Sequence, residues 1–260
     1  MEITKLFEDA LKYPTKDWNK LLTLGGLTLI PMIVLSLLIV PIALNGSSLN
    51  YNYLASLSVT MLLILAVAAI LAIILGIIYW GYELSIIRNT IALKEELPEF
   101  EWGNLIVDGL KVLVLSIVYS IIPGIVSFIM MLSVGFLSAT ASNTSSIVFA
   151  NLFLFLIVFI ISIIFQLLLY IAMGKLAETD SLSDAINFID VFNKIGEIGW
   201  ANYIIWIIIN CIILAIIGFI MGIISIIPII GALIAFVLFI PYIVIYHSRA
   251  LGLLYNESKN

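Results

Sequence analysis

Residues 203–246 carry no charged side chain. As one α-helix this run would be about 65 Å long, at a rise of about 1.5 Å per residue. The hydrocarbon core of a bilayer is about 30 Å thick, so a membrane-embedded run of this length must fold back on itself. Ile227-Pro228-Ile229-Ile230-Gly231 supplies the turn chemistry. In water the same run would expose a large apolar surface and aggregate. The rest of the chain agrees: 63% of its 260 residues are hydrophobic and 10% are charged, where soluble domains carry about 25% charged residues.

A spanning helix needs roughly 20 apolar residues. The sequence offers six such stretches: Leu21–Leu44, Leu57–Tyr82, Val112–Leu137, Ile147–Met173, Trp200–Ser225 and Ile230–Tyr246. The expected fold is all-α, a single polytopic membrane domain over residues 1–260. MEITKLFEDALKYPTKDW does not read as a signal peptide, because its charges are scattered and it has no compact apolar core.

The cations give the topology. Lys5, Lys12, Lys16 and Lys20 precede the first stretch, and Arg88, Lys94 and Lys111 separate the second from the third. Lys175 and Lys194 separate the fourth from the fifth, and Arg249 and Lys259 follow the sixth. These are all 11 Lys and Arg of the chain, and with six spans every one falls on the same side. The opposite side has Asn45–Ser56, Ser138–Ser146 and the Pro228 turn, none of them charged. The positive-inside rule then places both termini in the cytoplasm of a cell-membrane protein. The glycosylation sequons at Asn45 and Asn143 fall on the expected outer side, but a third at Asn256 falls on the inner side, so the motif discriminates little.

Amphipathic segments precede each pair of spans. Ile3, Leu6, Phe7, Ala10 and Leu11 form one apolar stripe; Leu105, Ile106, Gly109, Leu110 and Leu113 form a second, with Asn104, Asp108 and Lys111 opposite. The second is expected to run on as the third span. Ala185, Ile186, Ile189 and Phe192 form a third stripe, with Ser181 as N-cap. The chain therefore reads as three repeats of amphipathic segment plus helical hairpin, near 1–82, 97–173 and 181–250. Trp18, Trp80, Trp102 and Trp200 fall where an inner-interface aromatic belt is expected.

The stretch GYELSIIRNTIALKEELPEFEWGNLIVDGLKVL at 81–113 resembles the signature of the domain-of-unknown-function family 4013, archaeal and bacterial multi-pass membrane proteins. The resemblance rests on Gly81-Tyr82, Arg88-Asn89-Thr90, Leu97-Pro98-Glu99-Phe100, Trp102-Gly103 and Asp108-Gly109-Leu110-Lys111. One acid, Glu101, stands where the pattern carries two. ALKYPTKDWNKLLTLGGLTLIP at 10–31 is similar too. The resemblance implies an integral membrane protein and carries no site residues.

Catalytic constellations are not found. The sequence has no His-Glu-x-x-His, no Gly-x-Ser-x-Gly and no P-loop. Its one Cys, Cys211, reads as a small hydrophobe buried in the fifth span, and its one His, His247, as an interfacial side chain reaching toward water. No Asp, Glu, Lys or Arg falls deep inside an expected span, which argues against a proton-coupled pump. Gln166 and Asn210 are the strongest intramembrane polar residues and candidate contacts across helices. Glu95, Glu96, Glu99 and Glu101 cluster in one inner loop, where a basic partner could dock.

These features point to a non-enzymatic scaffold, assembly or regulatory component of the membrane. Its partners would be the lipid bilayer and a cytoplasmic or membrane protein, with no cofactor, metal or nucleic acid. The alternative is a carrier for a lipid or another apolar small molecule. A polar cavity lined by Gln166 and Asn210 would favour the carrier, and a dry bundle the scaffold.

Overall fold

A computed structural model describes residues 3–44, 59–140, 144–227 and 229–257. Among them all regular elements are helical. Helix α1 (Ile3–Lys12) leads through a short 3-10 turn into α2 (Trp18–Leu44). Then follow α3 (Val59–Ile91), α4 (Trp102–Thr140) and α5 (Thr144–Thr179). Two short helices, α6 (Leu182–Ile186) and α7 (Phe188–Ile198), precede α8 (Trp200–Ile224) and α9 (Ile230–Asn256).

Among the described residues, five helices, α3, α4, α5, α8 and α9, are long and apolar enough to cross a membrane. The chain is thus a helical multi-pass membrane protein. Helix α2 covers the first expected span, and the side chains over most of its second half lie outside the described residues. The sequons at Asn45 and Asn143, the loop Asn45–Ser56 and Pro228 lie outside them too.

The helices overrun the expected spans at the charged end. Helix α3 continues past Tyr82 to Ile91, α5 past Met173 to Thr179, and α9 past Tyr246 to Asn256. Hydropathy marks where a helix leaves the hydrocarbon, whereas its hydrogen-bond ladder continues until a turn stops it. Leu93, at positive φ, follows α3; Asp180, also at positive φ, follows α5.

The three repeats close into a ring. The second helix of each hairpin, α3, α5 or α9, contacts the other two at the centre. The first helices sit outside them: α2 against α3 and α9, and α4 against α3 and α5. Helix α8 lies against α9, and its Tyr203 hydroxyl donates to the Leu167 carbonyl of α5 at 2.7 Å. Each of α2, α4 and α8 begins at a Trp that the sequence singles out, Trp18, Trp102 or Trp200.

Burial is concentrated in the charged-end half. Tyr82, Leu84 and Ile87 of α3, Ile171 and Leu176 of α5, and Tyr246, Leu251 and Leu254 of α9 are fully buried. Toward the other end, side chains such as Phe128, Phe153 and Phe219 are exposed on the bare protein, as lipid-facing residues are.

The amphipathic segments dock as the ring requires, with two corrections. Helix α1 buries Leu6, Phe7 and Ala10 as expected. In the third segment Ser181 caps α6 as expected, but Asn187 is extended and caps a new helix by accepting from the Ile189 and Asp190 amides. The helical phase restarts there, so Val191, Ile195 and Ile198 are buried while Ile189 and Phe192 are exposed. In α4 the expected stripe splits: Leu105 and Gly109 are buried as expected and Asp108 joins them, while Ile106 and Leu110 turn outward. In a bilayer the outward side is apolar, so the polar side chain belongs against its neighbour.

Candidate functional site

Two polar layers stand out, one at the charged end and one beginning just inside it. The outer layer is built from the stretch that opens at Gly81. A methyl group at Gly81 would collide with the Leu105 carbonyl, and one at Gly109 with the Ile77 carbonyl. The backbones of α3 and α4 therefore touch twice, which only glycine permits. That approach places Arg88 of α3 beside the buried Asp108 of α4, with two hydrogen bonds at 2.6 and 3.3 Å. Arg88 also reaches Asp180 at 2.9 Å, and Lys111 meets the same carboxylate at 2.8 Å. Those cations hold the Asp180 carboxyl below its usual range, the hydrogen bond from Lys111 most strongly.

The loop after α3 is clasped from several sides. Tyr82 stacks on Phe100 at 4.6 Å, and Phe100 on Trp102 at 5.6 Å. Tyr13 donates to the Glu96 carbonyl at 2.8 Å, and Lys20 to the Leu97 carbonyl at 2.8 Å. Arg249 of α9 donates to the Lys94 carbonyl at 2.8 Å, and its guanidinium lies over the Tyr13 ring at 4.4 Å. Burial pushes the Tyr13 phenol up to about 12. A groove of about 560 Å³ remains between this loop and the helix ends, lined by Arg88, Asn89, Lys94, Glu96, Glu99 and Asp108.

The same device recurs in all three repeats. Arg88 of α3 pairs with Asp108 of α4, Lys175 of α5 with Asp190 of α7 at 3.6 Å, and Arg249 of α9 with Asp9 of α1 at 2.8 Å. Each central helix thus presents a cation to an acid on the amphipathic segment of the next repeat around the ring.

The inner layer gathers residues the sequence keeps apart. The Tyr246 hydroxyl donates to Asn210 Oδ1 at 3.0 Å, and Asn210 Nδ2 lies 3.2 Å from His247 Nδ1. Since Oδ1 accepts from Tyr246, the Asn210 amide donates to Nδ1, and the neutral imidazole carries its proton on Nε2. The Tyr170 ring meets the His247 ring edge-on at 4.8 Å, and Gln166 stands one turn before Tyr170 on α5. Among the described residues no hydrogen bond joins Gln166 to Asn210. Gln166 also lines a small cavity of about 210 Å³ with Tyr119, Pro123 and Ser162.

Three expectations fail here. His247 does not reach toward water at the interface; it is buried, because α9 continues about two and a half turns beyond it and carries Arg249 to the charged layer. Cys211 is exposed on the outside of α8. An apolar helix has no polar face to reveal which side turns inward. Glu83, one residue beyond the expected end of its span, lies inside α3, which runs on to Ile91. The continuation Leu84-Ser85-Ile86-Ile87 was the sequence signal that the span does not end at Tyr82.

Trp18, Trp80, Trp102 and Trp200 are all exposed, while Trp206 is buried beside His247. Among the described residues no group of three His, Cys, Asp or Glu side chains could hold a metal ion.

Comparison with curated proteins and with solved structures yields no match. A family model matches residues 64–226, which include the clasped loop, the Arg88–Asp108 pair, Gln166 and Asn210. The chain belongs to the family described as Protein of unknown function (DUF4013).

Proposed function

We propose that this protein is a non-enzymatic scaffold or regulatory component of the cell membrane that holds a partner protein on its charged face, with both termini in the cytoplasm. The carrying observation is the groove under the clasped loop. Its walls are fixed by ion pairs and stacked rings, and Glu95, Glu96, Glu99 and Glu101 are exposed around it. A rigid polar surface binds with little ordering cost, and its acidic rim suits a basic segment. The segregation of all 11 Lys and Arg to this side supports the orientation.

Replacing the four glutamates with glutamine keeps the Arg88–Asp108 and Arg249–Asp9 pairs and removes the rim pairs Lys20–Glu99 and Lys16–Glu95. Gentle extraction from native membranes followed by native mass spectrometry should show a stoichiometric protein partner with the wild type and its loss with the variant. If the partner stays bound to the variant, the acidic rim is not where it docks.

A second reading, a carrier for a lipid or other small molecule, draws on the inner layer. Asn210, His247 and Tyr246 form a polar cluster between helices, the kind of feature that marks substrate paths in membranes. A specifically bound small molecule without a protein partner in the same spectrum would favour it.

A further inference from the structure

The small cavity at Gln166 is a crevice between α4 and α5 inside the membrane. It holds about 210 Å³ and is lined by Tyr119, Ser120, Pro123, Ser162, Gln166 and Leu169. Gln166 lies nine residues from Lys175, and Pro123 twelve from Lys111. At a rise of about 1.5 Å per residue these separations are about 14 and 18 Å along their helices. The hydrocarbon core is about 30 Å thick, so the crevice sits near its middle. Ser120 and Gln166 are exposed on the bare protein, so it opens toward lipid.

The lining offers hydrogen-bonding groups. The Gln166 amide brings two donor hydrogens and an acceptor oxygen. The Ser120 hydroxyl donates to the Ser116 carbonyl at 2.7 Å, and its oxygen still accepts. Pro123 has no N–H, so the Tyr119 carbonyl, four residues before it in α4, lacks its helical donor. The Tyr119 hydroxyl is itself engaged, donating to the Ala185 carbonyl at 3.0 Å. Acyl chains match none of these groups, and an unmatched polar group in hydrocarbon is costly. A ligand that both donates and accepts removes that cost.

The crevice continues into a groove along the outer face of α4, with Ser120 in both. Ile117, Ile121, Gly124, Ile125 and Phe128 line the groove, which measures about 580 Å³. A few polar groups at one end of an apolar channel suit an amphiphile held by its head. Among the described residues no charged side chain lines either part, so a charged head would stay uncompensated.

We propose that this crevice and groove bind a neutral, hydroxyl-headed lipid taken from the bilayer. Its hydroxyl donates to the Tyr119 carbonyl and accepts from the Gln166 amide, and its chain lies along Ile117, Ile121 and Phe128. The inference goes beyond docking on the charged face and stands whether or not a protein partner binds there.

Photoaffinity labelling of the full-length protein in phosphatidylcholine vesicles tests it. The probe is a long-chain alcohol with a diazirine a few carbons from the hydroxyl. Labelling should saturate and should map by mass spectrometry to residues 116–128 and 162–169. Excess unlabelled alcohol should compete, and the alkane of the same length should not. Gln166→Leu should weaken labelling about three- to tenfold, as expected for one lost intramembrane hydrogen bond. Gly124→Leu should block the groove without strain, since a side chain starting there meets nothing within 4 Å. Equal competition by the alkane would reduce the site to ordinary lipid contact and overturn the proposal. So would labelling unchanged in either folded variant. Dimerisation in the same vesicles that excludes the probe and is lost in Gly124→Leu would assign the face to a second copy instead, and would also overturn it. Retention of the wild-type melting temperature identifies the folded variants.

Discussion

Arg249 and Asp9 lie 240 positions apart in the chain, yet Arg249 Nε donates to Asp9 Oδ2 at 2.8 Å. The guanidinium is 7% exposed and also serves the Lys94 carbonyl, the Thr90 hydroxyl and the Tyr13 ring. Removing one side of a buried, hydrogen-bonded pair costs about 3–5 kcal/mol. Because Asp9 is partly exposed, Arg249→Ala should sit near the lower end, about 3 kcal/mol. Arg249→Lys should recover only part of that, since a single ammonium cannot serve the same fork of partners. Thermal unfolding in detergent micelles, with proteolysis of α1 as a second readout, measures both.

The glycine contacts predict a sharp contrast. Gly81→Ala and Gly109→Ala must push α3 away from α4, because the added methyl meets backbone and not a movable side chain. Overpacking of this kind costs about 1–3 kcal/mol or more. Gly218→Ala and Gly222→Ala meet nothing within 4 Å and should leave the melting temperature unchanged or raise it. Equal effects in the two pairs would mean that α3 and α4 are not in backbone contact.

Acidification should loosen the charged layer at Asp180. Its folded pKa is depressed, so its contribution is full above the ordinary carboxylate range and is lost as pH falls through the lowered value. The side chain is 60% exposed, so the effect is small, below about 1 kcal/mol. Hydrogen-exchange protection at residues 177–185, corrected for the intrinsic pH dependence of amide exchange, should fall at acid pH in the wild type. In Asp180→Asn protection should already be low at neutral pH and change less.

Cys211 is the one thiol in the chain and is exposed on α8. In a bilayer it should react with a lipid-soluble maleimide and resist a charged, membrane-impermeant one. Labelling by the charged reagent in sealed vesicles would place that face of α8 in water.

Much of this architecture was legible because a bilayer imposes strong rules. Length and apolarity marked the helices, and the cations marked one end. The repeat was legible from Trp18, Trp102 and Trp200, each of which opens a helix. The side on which each residue sits was much harder to read. Asp108 looked like an outward residue until Gly81 and Gly109 brought the helices together, and Ile189 left its stripe because Asn187 restarted the phase. Gln166 and Asn210 were visible as polar residues in apolar runs. Glu83 and His247 were not, because hydropathy fades there two turns or more before the helices themselves end. The ion partners could not be read at all, since pairing across 240 positions depends on the ring.

That ring sets an order on biogenesis. Helices α1 and α2 find neighbours on α9: Tyr242 donates to the Leu11 carbonyl at 2.7 Å, and Thr28 donates to the Phe236 carbonyl at 2.9 Å. A nascent chain makes its first hairpin early, but the surface that receives it leaves the ribosome last. Until the final hairpin inserts, the first amphipathic segment has no dock and must wait at the membrane surface. A translation arrest before Tyr242 would therefore leave the amino-terminal segment, and not only the missing carboxy-terminal one, open to chaperones and proteases.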